Sequence, residues 1–381
     1  MASINLQGDT SGSISISAPS VAGSNTLTLP ATTQTLATQN ALGVRNLIIN
    51  GDMRIDQRNA GASVSSNNSY AVDRLRNVFT SSGSFTAQQS TTAPDNFTNS
   101  VVWTVGSAAS ATSSQVANMQ YRLEGNTLYQ LGLGTSAAKT MTLSFWVRSS
   151  VTGTYCAAFI NSAADRAYVA EYTISSANTW EQKSITLTGD TSGTWLTTNG
   201  IGLRIQFDLG SGSDYNATAN TWVGANDFRT TNQTDFINNA GATFYITGVQ
   251  LEVGSTATDF ENLPYDVQLA RCQRYYLHID LTNTTRNFSG LAVNSGQCLW
   301  TGSFTYPMRV VPSLITSGTF SDYASISGSG TISSMTNLTI ASTSGTQYFF
   351  INGTGMSGMT TNQGYFFRAT TDTFVAFSAE L

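Results

Sequence analysis

Apolar and polar residues alternate with period two through most of the chain. In Met141-Thr-Leu-Ser-Phe-Trp-Val-Arg148, Met141, Leu143, Phe145 and Val147 share one face, and Thr142, Ser144, Trp146 and Arg148 share the other. Gly202-Leu-Arg-Ile-Gln-Phe-Asp-Leu209 repeats the arrangement, with Leu203, Ile205, Phe207 and Leu209 inward and Arg204, Gln206 and Asp208 outward. This alternation predicts strands with one dry and one wet face, which belong to antiparallel sheets covering a core on one side. Further strand-like runs between Gly, Ser, Asn and Thr turns over residues 46–260 predict a sandwich or jelly roll. In Thr243–Val253 the parity slips: Phe244 and Ile246 share one parity, Val249, Leu251 and Val253 the other. One extra residue at Thr247-Gly248 restores a common face, so a β-bulge is predicted there with Gly248 supplying the backbone freedom.

The helical period occurs convincingly once, over residues 264–276, where Pro264 opens the segment and Leu269, Cys272 and Tyr276 recur at helical spacing. Strand-like runs return beyond it, among them Phe349-Phe350-Ile351 and Gly364–Arg368, enough for a second, smaller sandwich. At the other end, Ser11–Ser17 and Thr26–Pro30 read as thin strands in a segment too poor in apolar residues to fold by itself. Because untethered termini fray, this segment is expected to be held by another chain. The expected organisation is all-β: an extended segment 1–45, a jelly-roll β-sandwich 46–262, a short helical connector 263–274, and a C-terminal β-sandwich 275–381.

Composition narrows the function. Only 10% of the 381 residues are charged, against roughly 25% in ordinary domains, while the hydrophobic share of 40% is enough to fill cores. The surface is therefore built from hydroxyls, amides and glycine. A formal net charge of −5 gives long-range repulsion from phosphate backbones, so nucleic acid is not an expected partner. Lys139 and Lys183 are the only lysines; every other basic residue is Arg. Arg forks suit contacts between packed surfaces, although a bias of the host proteome gives the same pattern. Cys156, Cys272 and Cys298 show no metal-knuckle spacing and are expected to be free, buried thiols of a reducing cytoplasm. The first residues lack a basic region and an apolar stretch, so no signal peptide is expected. No apolar run reaches the roughly 18–20 residues of a membrane span, and no membrane insertion is expected.

Asn46-Leu-Ile-Ile-Asn-Gly-Asp-Met-Arg-Ile-Asp-Gln-Arg58 resembles the opening of a module common in structural proteins of tailed bacteriophages. The likeness continues through Leu143–Arg148, Ile246–Gly254, Thr258-Asp-Phe-Glu261 and Cys272–Tyr276, and the opening segment Gly12–Pro30 is similar to the N-termini of virion appendage proteins. It covers roughly residues 10–280. The resemblance implies a carbohydrate-binding-module-like jelly roll in a virion protein assembled in the host bacterial cytoplasm. It further implies a homotrimer docked to other virion proteins through residues 1–45. Jelly rolls of this kind with a structural calcium carry acidic residues where this chain has Met53-Arg54 and Thr247-Gly248. Asp52 alone makes a poor cage for an ion that takes 6–8 oxygen ligands, so no metal and no cofactor are expected.

Catalytic constellations are not visible. His278 is the only imidazole, and it sits in the strand-like Tyr275–Asp280, where a structural role is expected. The six glutamates are scattered, and no glycine-rich phosphate loop opens a helix after a strand. The outward set Trp146, Arg148, Arg204, Gln206 and Asp208 forms one polar surface if its two strands are neighbours. Such a surface suits a host surface glycan or, in the preferred reading, a subunit interface anchored by Trp146. Trp103, Trp180, Trp195, Trp222 and Trp300 are expected to pack in cores or turns. The leading function is a non-enzymatic tail fibre or tail-associated receptor-binding protein. A capsid decoration or head-fibre protein comes second. A glycan-degrading tailspike comes third, since no β-helix repeat is apparent.

Overall fold

The computed structural model describes residues 3–7, 13–17, 44–281, 287–327 and 332–381. It divides into two compact units, 1–43 and 44–381. In the first unit, β1 (Ser3–Gln7) and β2 (Ser13–Ser17) form an antiparallel hairpin pairing Ile4 with Ile16 and Leu6 with Ile14. The strand expected at Thr26–Pro30 lies outside the described residues.

The second unit is all-β apart from short helices. Its strands are β3 (Tyr70–Val72), β4 (Leu75–Phe79), β5 (Phe85–Ser90), β6 (Ser100–Val105), β7 (Ala117–Glu124), β8 (Met141–Ser149), β9 (Gly153–Ile160), β10 (Ala167–Ile174), β11 (Glu181–Leu187), β12 (Ile201–Asp208), β13 (Trp222–Val223) and β14 (Thr243–Val253). They form a seven-stranded sheet, β13-β10-β9-β12-β7-β4-β3, and a five-stranded sheet, β11-β8-β14-β6-β5. Consecutive strands repeatedly switch sheets, the connectivity of a jelly-roll-like sandwich. Between the sheets lies one core to which β8 contributes Met141, Leu143, Phe145 and Val147, and β12 contributes Leu203, Ile205 and Phe207, all fully buried. Trp103 is buried there as well, its indole N–H donating to Asn77 Oδ1 at 3.1 Å, which satisfies a polar group that would otherwise be costly to bury.

The bulge in β14 is present. Pairing with β8 shifts between Thr247 and Gln250, and Gly248 has φ +61°, so Phe244, Ile246, Val249 and Leu251 all enter the core. A Cβ on Gly248 would come within 2.7 Å of the Phe97 ring and 3.0 Å of Trp146.

Helix α1 (Gly125–Leu128) follows β7, and α2 (Tyr265–Gln273) precedes the smaller sandwich, burying Cys272 and Gln268. The smaller sandwich has β15 (Tyr276–Leu281), β16 (Phe288–Asn294), β17 (Gln297–Ser303), β18 (Ser313–Thr316), β19 (Tyr323–Ile326), β20 (Ile332–Ser334), β21 (Asn337–Ile340), β22 (Tyr348–Thr354), β23 (Gly364–Ala369) and β24 (Thr373–Ser378). Sheet β15-β24-β18 packs on sheet β20-β19-β23-β16-β17-β22-β21 around Trp300, Tyr323, Phe349, Phe367 and Phe377. All three cysteines are buried and free.

Arginines bridge the two sandwiches. Glu380 pairs with Arg58 and Arg74, whose guanidinium groups lie 3.5 Å and 3.7 Å from the ring centres of Tyr276 and Tyr275. The Glu124 carboxylate receives Arg274 and the Tyr275 hydroxyl at 2.7 Å. Arg309 donates to the carbonyls of Ala379 and Glu380 on its own side and to Asn199 O, 2.8 Å away, on the other. Arg58, Arg74, Arg274 and Arg309 thus serve contact between packed surfaces.

Candidate functional site

The outward residues do not form one surface. Trp146 and Arg148 lie on β8 of the five-stranded sheet, whereas Arg204, Gln206 and Asp208 lie on β12 of the seven-stranded sheet. The two strands face each other across the core, so their outer faces point in opposite directions. Alternation within a strand defines its faces but not its neighbours, and here the sheet order separates the set.

The outer face of β8 is also drier than its sequence suggests. Thr142 and Ser144 are buried because the segment 255–261 folds back over the sheet. Gln250 Nε2 donates to Thr258 O, Thr258 N–H to Glu252, and Thr186 Oγ1 to Ser255 O. Trp146 packs beside Gly248, and Arg148 donates to Asn178 O at 2.8 Å with its guanidinium 5.0 Å from the Tyr245 ring centre. Both side chains are engaged locally.

The motifs at Asn46–Arg58, Ile246–Gly254 and Thr258–Glu261 form a structural clasp. Asn46 Oδ1 accepts from the backbone N–H groups of Ile48 and Leu251, and its Nδ2 donates to Val249 O. Glu261 accepts from the N–H groups of Arg45 and Asn46, and Gln250 Oε1 accepts from Glu261 N–H. Gly51 is required because a Cβ there would lie 2.0 Å from Val249 O. Asp52 pairs with Arg54, and among the described residues no three His, Cys, Asp or Glu cluster as a metal cage. His278, on β15, pairs with Asp280 at 3.0 Å and packs on Phe374.

A groove lies on the outer face of the seven-stranded sheet. Cys156, Ala158 and Ile160 of β9 with Ala167 and Val169 of β10 form a small second core on that face, covered by Phe228 and partly by Tyr215 and Ala217. The covering segment stops short of β4, β7 and β12, leaving an open cleft of about 190 Å³. The floor is polar because the same alternation that sends Ala117, Met119, Tyr121 and Leu123 of β7 into the core sends Asn118, Gln120 and Arg122 outward. Cross-strand pairing sets Arg76 of β4 opposite Gln120, Gln206 of β12 opposite Gln120 on its other side, and Arg204 opposite Arg122. The amides form a relay: Gln120 donates to Asn118 at 3.4 Å, and Asn118 to Gln206 at 3.3 Å. Tyr215 and Phe228, stacked with ring centres 4.2 Å apart, stand beside the cleft.

Of the residues expected from the sequence, Arg204 and Gln206 line this groove, whereas Asp208 is consumed by a turn. Its Oδ1 accepts from the N–H groups of Gly210 and Ser211, and burial pushes its carboxyl up to about 6. Arg76, Asn118, Gln120 and Arg122 were not singled out from sequence, although the alternation in Ala117–Glu124 carries the signal. Asn118, Gln120 and Gln206 are themselves buried, so the cleft meets solvent mainly through the partly exposed Arg76, Arg122 and Arg204, with an aromatic wall at its side.

No family model and no curated protein matches the chain. Among solved structures, the enzymatically active domain of tailspike protein 4 from bacteriophage CBA120 is similar over 55% of this chain and 21% of that one, with 14% identity and a TM-score of 0.28. The family 11 carbohydrate-binding module of a Clostridium thermocellum cellulosomal cellulase is similar over 52% of this chain and 98% of that one, at 12% identity and a TM-score of 0.27. The module TmCBM61, solved with β-1,4-galactotriose, is similar over 55% of this chain and 99% of its own, at 11% identity and a TM-score of 0.27. Likeness at this level assigns neither ligand nor activity to the present chain.

Proposed function

We propose that this protein is a non-catalytic structural component of a tailed-phage particle, a tail fibre or tail-associated protein whose larger sandwich binds host surface glycan in the groove over β4, β7 and β12. The observation that carries the glycan reading is the cleft itself: three partly exposed guanidinium groups over a hydrogen-bonded amide floor, beside an aromatic wall. Sugar hydroxyls accept hydrogen bonds from guanidinium groups, and sugar rings pack against aromatic side chains. Attribution to a phage particle rests on the sequence resemblance over residues 10–280, and docking through the N-terminal segment and assembly in the bacterial cytoplasm come with it.

A homotrimer is part of the same proposal. On the smaller sandwich, Leu291, Val293 and Tyr348 are 48–55% exposed, large apolar side chains suited to burial by another copy. Trimeric avidity turns a weak single-groove contact into a durable one.

The test is titration of the purified protein with polysaccharide extracted from host cells, reading binding and polymer length together. Binding without shortening, weakened at least tenfold by Gln120→Ala with Gln206→Ala in a variant that still unfolds cooperatively, supports the reading. Shortened polymer, or binding indifferent to both substitutions, overturns it. If no polysaccharide binds, the capsid-decoration reading takes precedence, and its measure is particle stability with and without the protein.

A further inference from the structure

Three guanidinium groups converge on the groove from three adjacent strands, Arg76 on β4, Arg122 on β7 and Arg204 on β12. Arg122 and Arg204 are direct cross-strand partners. Like charges placed directly opposite on a sheet destabilise it. Such a cluster is normally neutralised by carboxylates, yet none lines this cleft. The nearest acidic positions on these strands are already engaged: Asp208 with the Gly210-Ser211 turn, Glu124 with Arg274 and Tyr275.

The donors of the cluster are also incompletely used. Arg122 gives its Nε to Gln120 and its Nη1 to Leu381 O. Arg204 gives Nη2 to Asn161 O at 3.0 Å, but its Nε is buried without an acceptor, and so is Nη1 of Arg76. Neither Arg76 nor Arg204 is in an ion pair among the described residues. Burial and the neighbouring Arg76 charge both hold the Arg204 guanidinium below its ordinary range, the sign expected of a cation lacking a counter-ion. Single buried guanidinium nitrogens also lack an acceptor on Arg45, Arg58 and Arg271, but what sets the groove apart is that two such arginines, Arg76 and Arg204, line one cleft without a carboxylate.

We infer that the groove takes an acidic glycan, with the carboxylate of a uronic-type sugar seated between Arg76 and Arg204. This inference rests on the glycan reading of the groove and specifies its ligand class. A planar carboxylate accepts two parallel N–H bonds from a guanidinium fork, and it supplies the charge and acceptors that the cluster lacks. A neutral sugar supplies acceptors only.

The probes are alginate, polygalacturonate and hyaluronan oligosaccharides, each beside its carboxyl-reduced, neutral form, with poly-glutamate as a polyanion without sugar rings. The full chain is titrated with each by calorimetry at low and moderate salt. At least one acidic oligosaccharide is expected to bind tenfold or more tightly than its reduced form and than poly-glutamate. Arg204→Gln and Arg76→Gln should each abolish that preference, whereas Arg204→Lys, which keeps the charge and loses the fork, should retain part of it. Relief of repulsion should leave the melting temperature of the ligand-free Gln variants equal or higher, a readout that separates a binding cluster from a structural one. Equal binding of acidic and reduced forms overturns this inference and leaves the glycan reading standing. Equal binding of poly-glutamate overturns the sugar specificity, and binding of none of the probes or of host polysaccharide overturns both.

Discussion

The Arg274 guanidinium lies against the Glu124 carboxylate with Nη2 2.6 Å from Oε1 and Nε 2.9 Å from Oε2, a two-point pair joining the end of β7 in the larger sandwich to the residue after α2. Glu124 is almost fully buried, whereas a third of the Arg274 side chain meets solvent. Burial alone would raise the Glu124 carboxyl, but Arg274, the Tyr275 hydroxyl and Asn126 together hold it below the ordinary carboxylate range.

Removing that carboxylate should loosen the junction. Glu124→Ala strands the Tyr275 hydroxyl and most of a guanidinium, and the expected loss is about 2–4 kcal/mol, discounted for the solvent that reaches Arg274. Urea denaturation with separate probes of each sandwich is the check. One shared transition should split into two, and a single transition at the original midpoint would falsify the idea.

Gly248→Val should destabilise the larger sandwich by about 1–3 kcal/mol. The cause is twofold: a β-branched residue at φ +61°, and a Cβ driven against Phe97 and Trp146. The melting temperature of the variant measures it; an unaltered value would remove the bulge from the account of how β14 keeps its register.

The carboxyls of Asp208 and Asp73 are both raised by burial, to about 6 and about 7. A folded state with raised carboxyl pKa holds protons that the unfolded chain has released. Their contribution to stability is therefore complete below about pH 4 and is lost as pH rises through 6 and 7. Asp208→Asn keeps an oxygen for the two turn N–H groups and removes the titration. Denaturation midpoints at pH 4, 5, 6 and 7 should show a flatter profile for the variant, with its relative advantage growing towards pH 7. Parallel profiles would show that Asp208 ionises freely in the native state.

Under the proposed particle role, deletion of residues 1–43 should leave both sandwiches folded but absent from particles. The cut belongs after Gly43, because Arg45 pairs with Glu252 and donates to Asp259 O. Quantifying the truncated chain in purified particles decides it. Normal incorporation would place the docking surface elsewhere.

The strands of the larger sandwich, the bulge at Gly248 and the connecting helix were legible in sequence because each follows from a local period: two for β8 and β12, a slipped two for β14, 3.6 around Cys272. What escaped was everything set by pairing between distant strands. Trp146 and Arg204 fell on opposite sides of the molecule, and Thr142 and Ser144 were covered by a segment more than 110 residues further along the chain. The groove lay between these cases. Arg204 and Gln206 were recognisable as outward, but that β4 and β7 would complete the floor depended on a sheet order that no local pattern encodes.

The Glu380 bridge has a consequence during synthesis. Arg58 and Arg74 precede Glu380 by 322 and 306 residues, so at roughly 5–20 residues per second they wait about 15–60 s for their counter-charge. Once Glu261 has been made, 119 residues remain before Glu380, about 6–24 s, in which the larger sandwich can be complete while two guanidinium groups stand ready and unmatched. A ribosome product cut short before β24 keeps that exposed cationic face indefinitely. Closure of the bridge thus records that translation has passed Glu380, and only chains that carry the whole smaller sandwich reach the neutralised, fastened form.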